Sequence, residues 1–172
     1  MNIAIADIAG HWFGIFQPPP RMTVTEWANE FRYLSPEACA NPGKYSSATT
    51  PYAVEWMDSV TDPTSTGTVL MVASQLGKTE ALNNITGYFM DIEPAPQLMV
   101  QPTIDLAESW SKERLAPMIR DTPVLQDKVA DSRSRDSGNT LLHKTYPGGN
   151  IAMAGANAPS GLAGRPRRVV QM

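Results

Sequence analysis

The 172-residue sequence has a single cysteine, Cys39, and two histidines, His11 and His143. One thiol excludes an internal disulfide framework and any metal site built on several cysteines. Cys39 has no catalytic-histidine pattern around it and reads as a loop residue. His143 has no second ligand at metal spacing and reads as a hairpin residue. Long hydrophobic runs are missing as well. The most apolar stretch, MNIAIADIAGHWFGIF at the start, is broken by Asp7 and His11 and has no basic residues ahead of it. It is therefore too short and too polar to span a bilayer and a poor signal peptide, and a cytoplasmic location is the simple expectation. Net charge is also low, at −3. It is unevenly spread, with a local +4 from Asp131 onward and −7 before it. A basic C-terminal third suits either the phosphates of a nucleotide or DNA, or a solvated surface.

What is present fits one globular domain with a real core: 42% hydrophobic and 18% charged residues, with no internal repeat. Residues 1–22 read as a tail ending in the stiff proline-rich linker QPPPR. Residues 23–66 form a helical segment. Thr23 and Glu26 have capping-box spacing, and Trp27, Phe31 and Leu34 make an apolar stripe at helical spacing. A loop rich in Pro, Ser and Thr follows, and YAVEWMDSV reads as a second helix. Residues 67–172 alternate strand and helix. TVLMVAS is a continuous apolar run suited to a strand buried on both faces, and PQLMVQP reads as a second buried strand. The helix after the second run can be capped by Thr103 and ended or kinked by Pro117. NTLLHKTY and NIAMAGA flank a turn at Pro147–Gly149, and RRVVQM begins another strand. Trp110 reads as a core residue. Such alternation predicts an α/β fold with a parallel sheet and flanking helices.

One further absence falls at the most informative place. The stretch MVASQLGKTEALNN ends like a phosphate-binding loop, but the pattern G-x-x-x-x-G-K-[ST] needs a first glycine where Val72 stands. The context is otherwise complete: an apolar run, a turn, and a helix opening at the lysine. Backbone N–H groups and the helix N-terminus would face phosphates, Lys78 would add a point charge, and Thr79 would offer a hydroxyl to Mg²⁺. Gly77 suits a close approach that a Cβ would obstruct. A solvated Lys78 is the alternative, although a cation at a helix N-terminus opposes the macrodipole unless an anion is there too.

Several blocks in order carry a resemblance: LSPEA, PGKYS, EWMD, SQLGKTE, the run from QPT to ESWSKERLAPMIRDTP, NTLLHKTYPGGNIAMAGANAP and GLAGRPRRVV. From about Thr23 to Met172 the chain resembles the N-terminal ATPase region of the large terminase subunit of tailed bacteriophages, in its lambda-like GpA branch. The resemblance implies a P-loop NTPase fold of the ASCE type, here the incomplete first half of a motor domain. It also implies ATP and Mg²⁺ as cofactors and a DNA-packaging role in the host bacterial cytoplasm. Expected partners are viral double-stranded DNA, a small terminase subunit, the portal protein of the procapsid and, at full length, further copies of the same chain, with no membrane.

Terminase loops often begin without glycine and end in QxGKT, so Val72 is compatible with the resemblance. It implies that Gln75, Leu76 and Gly77 form the backbone cradle, that Lys78 binds the β- and γ-phosphates, and that Thr79 holds Mg²⁺. Arg165 is the candidate arginine finger, with a structural ion pair as the alternative. Arg167 and Arg168 adjoin a buried strand and read as partners of acidic residues. Tyr52, and after it Tyr45, stand where such motors place an adenine-stacking aromatic. In the family two carboxylates follow RRVV closely, but here RRVVQM is followed by none, and the nuclease region is absent. A fragment, a prophage remnant or a frameshifted gene is expected, binding ATP weakly and not hydrolysing it. The alternatives are another P-loop translocase or helicase-like enzyme, or a non-catalytic remnant that binds DNA or a packaging partner.

Overall fold

The computed structural model describes residues 22–129, 139–157, 162 and 166–172. Helix α1 (Val24–Phe31) begins at a complete capping box: the Glu26 N–H donates to Thr23 Oγ1 at 3.2 Å, and the Thr23 N–H donates to Glu26 Oε2 at 2.8 Å. It buries Val24, Trp27 and Ala28. The loop after it carries a short antiparallel pair, β1 (Tyr33–Leu34) with β2 (Gly43–Lys44). Helix α2 (Ala53–Asp58) follows and buries Ala53 and Met57.

Helix α3 (Lys78–Asp91) is the hub of the domain. Its burial is continuous from Asn83 to Met90, because α1 and α2 cover one side of it and the sheet covers the other. Strand β3 (Pro96–Gln101) is one of two inner strands of a four-stranded sheet, with β5 (Gly149–Gly155) on one side and β6 (Val169–Gln171) on the other, both parallel to it. β4 (His143–Tyr146) pairs antiparallel with β5 as a hairpin whose Gly148 has φ +83°. The four central residues of β3, Gln97 to Val100, are buried, and three of them are apolar, as suits a strand covered on both faces.

Two helix-boundary expectations resolve in physical terms. Thr103 caps α4 (Ile104–Trp110) by accepting from the Leu106 N–H at 3.3 Å. Pro117 then neither ends nor breaks the chain's helical course. A π-helical turn over Ser111–Leu115 widens the ladder ahead of α5 (Ala116–Asp121), so the missing N–H falls in that helix's first turn. A short helix, α6 (Pro123–Gln126), follows. Trp110 is buried as expected, whereas Ile104 and Leu106 beside it are exposed.

One expectation is overturned. Residues 68–74, TVLMVAS, form no strand: they have no ladder partner, and Val69 and Met71 are 93% and 95% exposed. The sheet ends at β6, and a cleft of about 1040 Å³ separates that edge from residues 66–70. Strand propensity is realised only against a neighbouring strand. Here the apolar run meets a gap where its partner would have to lie.

Between α3 and the sheet lies a polar seam. Gln97 Nε2 donates to the Thr86 carbonyl at 3.1 Å and to the Tyr146 hydroxyl at 2.9 Å, and that hydroxyl donates to the Ala95 carbonyl at 2.6 Å. Burial pushes the Tyr146 pKa up to about 12 from a usual 10.0. The folded chain thus keeps this proton after the unfolded chain has lost it. The stabilisation is full below pH 10 and disappears as the pH approaches 12. Unfolding free energy is expected to fall by about 2–3 kcal/mol across that interval. Denaturant titrations at stepped pH should show Tyr146→Phe flattening the fall, with the remainder carried in part by Tyr45 and Tyr88, whose pKa values burial also raises.

Candidate phosphate-binding site

The candidate loop is a tight turn delivered onto the N-terminus of the 14-residue α3. Gln75 has φ 63° and Gly77 φ 75°. Two left-handed residues separated by one position curl the backbone so that consecutive N–H groups converge, which is the geometry of an anion-binding concavity. Glycine adopts such a φ without cost, but Gln75 is strained there, and strain of this kind gathers at ligand-binding turns. A Cβ on Gly77 would meet nothing within 4 Å. Its need for glycine is therefore set by backbone conformation, with open space in front of it.

The amides are free. The first intrahelical bond runs from the Ala81 N–H to the Gly77 carbonyl at 3.0 Å. Among the described residues, none accepts from the backbone N–H groups of Gln75, Gly77, Lys78, Thr79 or Glu80. Lys78 Nζ donates to the Ala73 carbonyl at 2.7 Å and lies 3.5 Å from the Val72 carbonyl. The ammonium thus bridges back across its own loop, and it also lines the cleft beside β6, whose floor includes Leu82, Ile85 and Phe89 of α3. Thr79 is exposed. An anion approaching the turn would meet several unpaired donors, one cation and the positive end of a helix dipole. These features fit a polyphosphate. Thr79 offers a metal one hydroxyl, and the described residues contain no cluster of three His, Cys, Asp or Glu able to hold a cation unaided.

Neither aromatic candidate lines the cleft itself. Tyr45 is buried in the core, its hydroxyl 4.0 Å from Met57 Sδ. Tyr52 is 45% exposed and packs against Trp56 with ring centroids 5.3 Å apart. Trp56, which the sequence reading passed over as an ordinary helix residue, is the ring of that pair that lines the cleft with Lys78. Arg165 lies outside the described residues. Arg168 pairs with Glu93, and Arg167 Nη1 donates to Asn150 Oδ1 at 2.6 Å, so the start of β6 is tied to the turn after α3 and to β5.

The sequence reading also missed the residue that anchors the site from behind. Glu80, in the first turn of α3, accepts from the buried Arg32 at 2.6 Å. A buried Arg directly after an amphipathic helix gives no periodic signal. Its one hint was an arginine next to an apolar stripe that already had its full complement of core residues.

A protein-family model described as phage terminase large subunit gpA, ATPase domain, matches residues 39–172. The chain is 28% identical over 146 residues to the terminase large subunit of Enterobacteria phage P21, covering 85% of this chain and 22% of that protein. It is 26% identical over 135 residues to the terminase large subunit of Escherichia phage lambda, covering 78% of this chain and 21% of that protein. The chain therefore spans about a fifth of the length of these relatives. No solved structure matches it. No helix among the described residues is long and apolar enough to cross a membrane.

Proposed function

The chain belongs to the ATPase-domain family of the phage terminase large subunit gpA, and from that premise we propose that residues 75–79 receive the triphosphate of ATP. The observation that carries this reading is the set of unengaged amides of Gln75, Gly77, Lys78, Thr79 and Glu80 at the head of α3, with the Lys78 ammonium beside them. Gln75, Leu76 and Gly77 form the backbone cradle. Lys78 would bind the β- and γ-phosphate oxygens in place of its loop carbonyls, and the Thr79 hydroxyl would offer one oxygen to Mg²⁺. Once bound, ATP supplies the phosphoryl group whose transfer drives a motor, and this chain's residues bind and orient it. Trp56, in the cleft, and Tyr52, packed on it, are the candidates for a base contact. Arg165 is the candidate finger toward a neighbouring copy's nucleotide.

The fold we propose is an ASCE-type P-loop half-domain. In the longer protein it works as part of a DNA-packaging motor on viral double-stranded DNA, with a small subunit and a portal, in the host cytoplasm.

Titration calorimetry with ATP and Mg²⁺ tests the reading. Lys78→Ala removes a charge-assisted hydrogen bond and is expected to weaken binding about ten- to a hundredfold. An isotherm unchanged by the substitution, or no heat from the parent chain at millimolar nucleotide, would refute it.

A further inference from the structure

Glu80 stands one residue beyond Thr79, in the first turn of α3. A carboxylate there is close enough to the head of the helix to oppose any anion the loop receives. In the structure it is turned toward the body of the domain. Its Oε1 accepts from Arg32 Nη2 at 2.6 Å, and its Oε2 accepts from Asn83 Nδ2 at 3.3 Å. Arg32 is held from several sides. It is the C-cap of α1, its N–H donating to the Ala28 carbonyl at 3.1 Å, and its own carbonyl accepts from the Tyr45 N–H at 2.9 Å. Its Nη1 donates to the Tyr33 carbonyl and lies 3.5 Å from Thr122 Oγ1. The side chain is 3% exposed. Burial pushes the guanidinium's pKa below its usual value, and Glu80 is the largest influence restoring it.

We infer that Arg32 is a positioning residue for the triphosphate site: by pinning the Glu80 carboxylate against the domain body, it leaves the head of α3 facing the loop with donors alone. The inference rests on the ATP-binding reading above and adds a residue from the opposite side of the helix to it. Without Arg32 the carboxylate is released at the helix N-terminus, where the dipole draws it forward into the space the phosphates need. Repulsion between one carboxylate and a polyphosphate at such range should weaken binding on the order of tenfold. It should act more on ATP than on ADP and shrink with added salt.

The test uses the full 172-residue chain with ATP and with ADP, each with Mg²⁺, at low and high salt, alongside circular dichroism of every variant. Arg32→Gln is expected to lose about tenfold in ATP affinity. Glu80→Gln, which still accepts from Arg32, is expected to stay within about threefold of the parent, and so is the Arg32→Gln/Glu80→Gln double variant. A double variant as weak as Arg32→Gln would overturn the inference, because Arg32 would then act through packing alone. Glu80→Gln as weak as Arg32→Gln would also overturn it, since the carboxylate itself would then serve the ligand. Should Arg32→Gln fail to fold, Glu80→Gln decides: a tenfold loss of ATP affinity in it overturns the inference. Lys78→Ala separates the two levels. ATP binding untouched by Lys78→Ala sinks the nucleotide reading, whereas binding lost in Lys78→Ala and intact in Arg32→Gln sinks the positioning role alone.

Discussion

Trp27→Ala is expected to lower the unfolding free energy by about 3–5 kcal/mol, a large part of the margin of an ordinary domain. The indole is fully buried, and it joins α1 to α3 in two ways. Its ring lies against Gly87, and its Nε1–H donates to Asp91 Oδ2 at 2.7 Å. Asp91 in turn binds Lys128, so the same carboxylate ties down the segment after α6. Truncation removes the largest side chain of the α1–α3 contact and opens a cavity that two helices, each held by other partners, cannot close. Trp27→Phe keeps most of the ring and loses the hydrogen bond, so about 1–2 kcal/mol is expected for it. Urea unfolding followed by circular dichroism measures both. A loss below about 1 kcal/mol for Trp27→Ala would mean that α1 is not packed on α3 as described.

The apolar stripe that brings Trp27 inward is readable in the sequence, as are the capping box at Thr23, the cap at Thr103, the hairpin at Pro147–Gly149 and strand β3. These features are local. Each depends on residues within a few positions of one another, and helical or strand periodicity reports them directly. The failure at residues 68–74 is of another kind. An apolar run carries the propensity to be a strand, but pairing is a property of two segments, and the β6 edge stands across a cleft from this one. Pro117 was legible as a disturbance, but not as a π turn, because the widened ladder is a compromise between a missing N–H and burial of Ser111 and Leu115. At the candidate site, the turn over Gln75–Gly77 and the helix opening at Lys78 were legible from their order alone. The Arg32–Glu80 pair was not, since its members are separated by 48 positions and meet only when α1 lies on α3.

Gly87→Ala is expected to cost about as much as a cavity would, by the opposite mechanism. A Cβ at residue 87 would lie 2.2 Å from Trp27 Cη2 and 2.8 Å from Trp27 Cζ3. Both distances are well inside contact range, so α1 would have to move away from α3 or the indole would have to leave its rotamer. In an open helix the change would be stabilising by about 1 kcal/mol, because alanine is the better helix former. Here overpacking should reverse that sign and destabilise by about 3 kcal/mol or more. The two substitutions occupy one space, so they should not add. Gly87→Ala placed in the Trp27→Ala background should cost little or even recover stability, giving a coupling of about 2–3 kcal/mol in a double-mutant cycle. Additive losses would show that the glycine and the indole do not touch. A strong coupling would fix the distance between α1 and α3, and the Arg32 that closes α1 can reach the first turn of α3 only at that distance.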